Sequence, residues 1–277
     1  MFTTIFPRLA LAGLALLTWA APAAAHDPEA KYLANEGVMV TRGETKILFD
    51  PLFGESFGQY ELVPEDMRAA MLAGEAPFDG VDAVFVSHAH ADHFAAEDMV
   101  AYMRAVSEAR LYAPQQAVDM MAEIAGADDP IFARVTPIAL ERLDDPARLN
   151  AAGIAIKAVR VPHAGWPQRA DVENLIFRVT LDDETTVMHM GDADVSDWHY
   201  APHQEIWDER ALDAAFPPYW FLTSEAGRSI LTNRFKPART IGVHVPSSVP
   251  DDPAAREKSL RDADLFTRPG ETRRLGE

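Results

Sequence analysis

The segment that most constrains this chain is Ser87-His88-Ala89-His90-Ala91-Asp92-His93. It follows residues 81–86, an apolar run too short for a helix and therefore read as a buried strand. The chain has nine histidines, and three of them fall inside these few positions. In extended backbone, residues two apart point the same way, so His88 and His90 can share one cation. Asp92 and His93 lie where the chain turns toward a helix beginning near Ala95, and they can face a second cation on the other side. The intervening alanines take little room and let the backbone come close. The sequence holds no cysteine, which excludes thiolate ligands, disulfides and cysteine nucleophiles. Any cation must then be held by imidazole and carboxylate, a donor set that suits zinc and also iron or manganese.

Around this run the chain alternates strands and helices. Residues 37–40 and 46–49 flank the turn Arg42-Gly43-Glu44 as a hairpin. Residues 64–72 predict a helix opening on a proline, and 95–109 a helix with Met99, Tyr102, Met103 and Val106 on one face. Residues 111–113 read as a strand and 115–124 as a helix. Strands follow at 154–161, 175–181 and 186–190, the last two joined by Asp182-Asp183-Glu184, then at 211–216 and 240–245. Helices are expected at 224–233 and 254–265. Strand-rich blocks that each finish in helices predict two packed sheets with helices outside.

The N-terminus is read separately. One positive charge at Arg8, an apolar stretch over 9–20 and the small residues Ala21-Pro22-Ala23-Ala24-Ala25 form a secretory signal, with cleavage expected between Ala25 and His26. The apolar stretch falls short of the ~20 residues that span a bilayer. The expectation is an exported protein, periplasmic or secreted, without stable membrane association after cleavage. It comprises one domain over 26–266 and a flexible tail over 267–277. With 43 acidic against 25 basic residues and a net charge of −18, the chain repels polyphosphate at long range. This argues for a small-molecule substrate and against nucleic acid.

The pattern H-x-H-x-D-H after a buried strand resembles the signature of the metallo-β-lactamase superfamily. Further residues match in order: Val161-Pro162-His163, Met190-Gly191-Asp192 and Ile241-Gly242-Val243-His244, with Asp50 before Pro51 supporting the ligands from behind. The resemblance covers residues 37–245 and implies an α/β fold, the αββα metallo-β-lactamase sandwich. It implies that His88, His90 and His163 hold one divalent metal ion, and Asp92, His93 and His244 a second, with Asp192 bridging. Two such ions, most simply zinc, acidify a shared water toward neutrality and polarise the bond under attack. The implied activity is hydrolysis of an ester, lactone, amide or phosphodiester.

A proton donor for the leaving group is also needed, and Asp92, His189, Tyr200 and Tyr219 are the candidates. Trp166, the run Phe216-Pro217-Pro218-Tyr219-Trp220-Phe221, and His199 and His203 near Trp198, Tyr200 and Trp207 are candidate pocket walls, with Arg169 and Asn174 as polar residues beside them. Two other readings stand beside hydrolysis: a mononuclear iron dioxygenase of the same fold, and an exported metal-binding protein without catalysis.

Overall fold

The computed structural model describes residues 1–2, 27–151 and 153–276. The leader expected over 1–25, apart from its first two residues, and His26 lie outside the described residues. Among the described residues, no helix is long and apolar enough to cross a membrane.

The chain folds as two sheets with helices on both outer faces. Strands β1 (Glu29–Ala34), β2 (Gly37–Arg42), β3 (Thr45–Phe49), β4 (Ala83–Phe85), β5 (Arg110–Pro114) and β6 (Val135–Ile138) build the first sheet. Strands β7 (Ala147–Ala151), β8 (Ile154–Arg160), β9 (Leu175–Leu181), β10 (Thr185–His189), β11 (Ala214–Phe216) and β12 (Arg239–Thr240) build the second. The last strand, β13 (Thr272–Arg274), returns to the first sheet beside β1. The sheet orders are β13-β1-β2-β3-β4-β5-β6 and β12-β11-β10-β9-β8-β7. Each is antiparallel over its hairpins and parallel where a crossover intervenes, as at β3-β4-β5-β6 and β10-β11-β12.

The two-residue period of the strands divides the apolar residues between layers. Val38, Val40, Ile47, Phe49 and Phe85 face the second sheet and meet Ile154, Ile156, Phe177, Val179 and Phe216. The ring centroids of Phe85 and Phe177 lie 5.0 Å apart across this interface. Burying a side chain of that size is worth about 1.5–3 kcal/mol. The alternate residues Met39, Leu48, Val84 and Leu111 face outward beneath α1 (Glu65–Ala73), α2 (Ala96–Ala105) and α3 (Gln115–Ala125). On the far side, Ile176, Met188 and Ala215 pack under α4 (Gln204–Asp208), α5 (Trp220–Thr223) and α6 (Glu225–Ser229). Strands flanked by helices on one face and a sheet on the other are buried twice. That is why residues 81–86 read as a continuous apolar run.

Four expectations are corrected. The strand expected over 240–245 stops at Thr240; beyond it Val243 bridges Pro218 and Gly242 bridges Leu265, and the chain turns into a positive φ at His244. The helix expected over 254–265 is one short turn at Pro253–Ala255. There the Arg256 guanidinium donates to the carbonyls of Pro250, Asp251 and Ala263, organising a loop around a side chain instead of a helical ladder. The helix expected over 224–233 divides into α6 and a wide turn at Ile230–Phe235. The flexible tail expected from Thr267 is an ordered edge strand: β13 pairs with β1, Leu275 is buried, and Arg273 lies 5.1 Å over the Phe266 ring.

Candidate metal centre

The site sits at one end of the sandwich, where the two sheets deliver their loops. The chain leaves β4 at Phe85 and enters the histidine run, and the amides of His93 and Phe94 close a turn onto the His90 carbonyl just before α2. Asp50, at the end of β3, fixes this run from behind. Its carboxylate accepts from the Ser87 amide at 2.7 Å and from the Ser87 hydroxyl, and it lies 2.9 Å from His93 Nδ1. Ser87 Oγ in turn contacts His88 Nδ1 at 3.1 Å. With Nδ1 occupied in this way, the Nε2 atoms of His88 and His93 are turned toward the site.

The remaining residues arrive from the second sheet and from the late loop. His163 and Ala193 form an isolated bridge, and the Ala164 amide donates to the Asp192 carbonyl at 2.6 Å. Asn174 clamps the Gly191-Asp192 turn: its Oδ1 accepts from the Asp192 amide at 3.0 Å, and its Nδ2 donates to Val161 and Met190 carbonyls. Asn35 ties two more pieces together, donating to the Asp92 carbonyl at 2.8 Å while its own carbonyl accepts from the His244 amide at 2.9 Å.

Two ligand groups result. His88, His90, His163 and Asp192 offer atoms all within 4.8 Å of one another, and Asp92, His93 and His244 do the same. The Asp192 carboxylate stands between them. Its Oδ2 is 3.1 Å from His163 Nε2, and its Oδ1 is 3.2 Å from both His93 Nε2 and His244 Nε2. Asp92 Oδ2 completes the second group at 3.4 Å from His244 Nε2. His93 Nε2, His163 Nε2, Asp192 Oδ1 and both ring nitrogens of His244 are buried without a hydrogen-bond partner among the described residues. An orphaned buried polar atom costs about 1–3 kcal/mol. Several of them converging on one point, with two carboxylates among them, fit a pair of divalent cations.

Electrostatics agree with that fit. Burial, followed by the neighbouring His93, pushes His88 well below the usual imidazole range; burial and His163 lower His90. Both rings are therefore neutral and available as ligands at pH 7. Burial alone would raise Asp192, but His244, His93 and His163 outweigh it and hold its carboxyl well below the usual range. His93 is the exception. Burial opposes its charge, yet Asp192, Asp50 and Glu36 together push it well above its ordinary value. Without a cation, a proton on His93 offsets part of the charge of these carboxylates.

All seven side chains expected as ligands are brought together; of the candidate proton donors Asp92 is among them, whereas His189 and Tyr200 lie away from the cleft. His189 is fully buried between the sheets, stacked on Phe49 at 4.9 Å, and its Nε2 donates to the Glu36 carbonyl at 2.9 Å. Tyr200 is buried in the outer core and donates to the Asp194 carbonyl. Tyr219 packs against the cluster of Val245, Leu260 and Leu265 and does not line the cleft. His199 and His203 belong to the outer helical layer, and Asn174 supports the Asp192 turn from inside, so none of the three is a pocket wall. Asp92 does face the cleft, as does Arg169.

Two residues were not anticipated. Tyr60, from the loop after Asp50-Pro51, lines the cleft with its ring edge-on to His244 at 4.2 Å. Burial and the nearby Asp192 push its phenol above the usual range, so it stays protonated. Glu36 is fully buried beneath the site, 4.0 Å from His93 Nδ1 and 3.5 Å from His189 Nε2. Burial raises its carboxyl well above the usual range. A lone acid between the apolar runs 30–34 and 37–40 was the available signal for it; Tyr60 left none.

The turn carrying Asp192 has little slack. A Cβ on Gly191, at φ +52°, would lie 2.4 Å from Asn174 Oδ1 and 2.7 Å from Ser87 Cβ. Gly191→Ala should destabilise the fold by roughly 2–4 kcal/mol through strain and overlap. Urea unfolding measures this, and an unchanged midpoint would contradict the packing described.

A cleft of about 630 Å³ opens over both ligand groups, lined on its rim by Phe57, Gln59, Tyr60, Gln168 and Arg169. An αββα sandwich whose loops deliver two imidazole-carboxylate clusters, joined by one aspartate, has the donor set of a metal-dependent enzyme. The beta-lactamase superfamily domain matches residues 45–232, more than half of the chain. The protein belongs to this family, the metallo-β-lactamase superfamily of metal-dependent hydrolases.

Solved structures share its fold at low identity. A possible metal-dependent hydrolase from Veillonella parvula is 17% identical with a TM-score of 0.61, over 90% of this chain and 100% of that one. An isothiocyanate hydrolase from Delia radicum gut bacteria is 17% identical with a TM-score of 0.57, over 88% and 98%. A metallo hydrolase from the archaeon Ignicoccus hospitalis is 16% identical with a TM-score of 0.56, over 89% and 97%. No curated protein sequence matches the chain.

Proposed function

We propose that the protein is an exported hydrolase that uses two divalent cations to cleave an ester, lactone, amide or phosphodiester bond in a small molecule. The observation that carries this reading is the Asp192 carboxylate, with one oxygen toward His163 and the other toward His93 and His244. His88, His90 and His163 would hold one cation, Asp92, His93 and His244 the other, and Asp192 both. Imidazole and carboxylate without cysteine favour zinc, with iron or manganese admitted by the same donors. The leader over 1–25 supports export; N-terminal sequencing of the exported protein should begin at His26.

The cation pair would supply Lewis-acid polarisation and a hydrolytic nucleophile at neutral pH. The chain's own residues do the rest. Asp92 and Asp192 offset cationic charge and fix the spacing of the two groups. Asp50 and Ser87 hold the rings of His88 and His93 in orientation. Tyr60, beside His244 and open to the cleft, donates a hydrogen bond to the substrate oxygen that gathers charge or departs. Tyr60→Phe should lower kcat about 10²-fold with metal content unchanged. Retained kcat would remove Tyr60 from the chemistry.

Metal analysis joined to a hydrolysis screen over lactones, aryl esters, phosphodiesters and β-lactams tests the main reading. Two cations per chain and turnover of one class are expected. A single iron with oxidation of a thiol or persulfide would replace this reading by a dioxygenase. Two bound metals without turnover of any class would leave a metal-binding protein.

A further inference from the structure

The rim of the cleft next to His163 carries an arginine, Arg169, that forms no ion pair among the described residues. The segment that bears it is fixed at three points. At its start, His163 bridges Ala193. In its middle, Trp166 packs edge-on to Trp198 at 6.3 Å and His199 at 5.7 Å, with the Arg142 guanidinium 5.6 Å over its ring. At its end, the Gln116 side chain donates to the Asp171 carbonyl at 2.7 Å, the Gln116 amide donates to the Glu173 carboxylate at 2.9 Å, and Gln116 Oε1 accepts from the Glu173 amide at 3.0 Å. A loop pinned in this way holds its backbone in register with the site, while Arg169 itself is exposed to the solvent of the cleft.

Arg169 projects from this loop into the cleft. Its stem lies against Gly165, where a Cβ would meet Arg169 Cδ at 3.6 Å. Among the described residues its one polar contact is Nη1 to His163 Nδ1 at 3.5 Å. That nitrogen lies 2.6 Å from the Ala164 carbonyl and donates to it, so it has no lone pair to give the guanidinium. Arg169 thus keeps its planar fork of donors free, in a chain where acids outnumber bases 43 to 25. Gln168 and Gln59 add neutral amides to the same cleft, and Asp171 adds a carboxylate that makes no ion pair with Arg169.

We propose that Arg169 determines substrate specificity by anchoring an anionic group, a carboxylate or a phosphate, away from the bond that is cleaved, so that the natural substrate is a small anion. The proposal rests on the hydrolase reading for its substrate. The chain's net charge repels anions only at long range, and physiological salt screens that beyond about 8 Å. At contact distance, the Arg169 guanidinium and the cations that the ligand groups would hold supply positive charge beside Asp92, Asp171 and Asp192. Charge-assisted, bidentate contacts of this kind are the strong ones.

The test compares two aryl esters with the same leaving group on the metal-loaded protein, 4-nitrophenyl acetate and the anionic mono-4-nitrophenyl glutarate. Calorimetric titration with glutarate and with inorganic phosphate gives a readout independent of turnover, and separates carboxylate from phosphate preference. Arg169→Met should shift the kcat/KM preference for the anionic ester by about 10- to 100-fold and weaken binding of the preferred anion at least tenfold. Arg169→Lys should recover part of both. Unchanged preference and unchanged anion affinity in Arg169→Met would overturn the anchor while leaving hydrolysis intact. Anion binding that depends on Arg169 in a protein that cleaves neither ester would uphold the anchor and count against ester hydrolysis within the hydrolase reading.

Discussion

Asp192→Asn should lower kcat/KM on the order of 10³-fold and leave the protein with at most one tightly held cation per chain. The substitution keeps the side-chain shape and the backbone contacts with Asn174, so the Gly191-Asp192 turn survives. What changes is the charge between the two ligand groups, where Oδ1 and Oδ2 lie 3.1–3.2 Å from three imidazoles. An amide offers one oxygen to one group and presents an NH₂ donor to the other, where a cation would have to sit. The second group then retains only Asp92 as an anionic ligand. Metal analysis and steady-state kinetics on the substrate class found in the screen measure both effects, with thermal unfolding as the control for folding. Two cations and full turnover in this variant would show that Asp192 does not bridge.

The parts of the site legible in the sequence are those encoded by local backbone. His88 and His90 share a side because extended residues two apart do so, and Asp92 and His93 diverge because the chain turns into α2. Two of the later ligands could be matched because each closes a strand or a hairpin, whereas His244 lies beyond the end of β12 in irregular backbone. His163 follows β8, and Asp192 follows β10. What stayed hidden depends on contacts between distant segments. Tyr60 reaches His244 from a loop with no periodic pattern, and Asn35 links Asp92 to His244 from a hairpin turn. His189 and Tyr200 were misassigned because sequence proximity to a ligand says nothing about which side of a sheet a residue faces. His189 points into the layer between the sheets, and Tyr200 into the layer outside the second sheet. The edge strands β7 and β13 escaped notice for a related reason. Their residues are largely polar and half exposed, so pairing with β8 and β1 leaves little hydrophobic trace.

Stripping the protein of metal should lower its melting temperature by roughly 8–16 °C for each cation removed. A cation held at about 1,000 times its dissociation constant adds about 4 kcal/mol to the folded state, and a domain of this size shifts by about 2–4 °C per kcal/mol. The gap between loaded and stripped protein should also widen as pH rises above the ordinary imidazole range. His93 has a raised value in the stripped fold, so the stability its proton contributes is complete below the ordinary imidazole range and is lost as pH climbs through the raised value. Asp192, held low, stays ionised across this window, and burial keeps His88 and His90 neutral. The stripped site therefore loses its neutralising proton at alkaline pH while its carboxylates remain charged. A bound cation supplies that positive charge instead, and its affinity grows as the competing proton leaves. Differential scanning calorimetry of dipicolinate-treated and reloaded protein across the pH series measures the gap. A gap that stays constant, or narrows with pH, would mean that the buried acids are not what the cations neutralise.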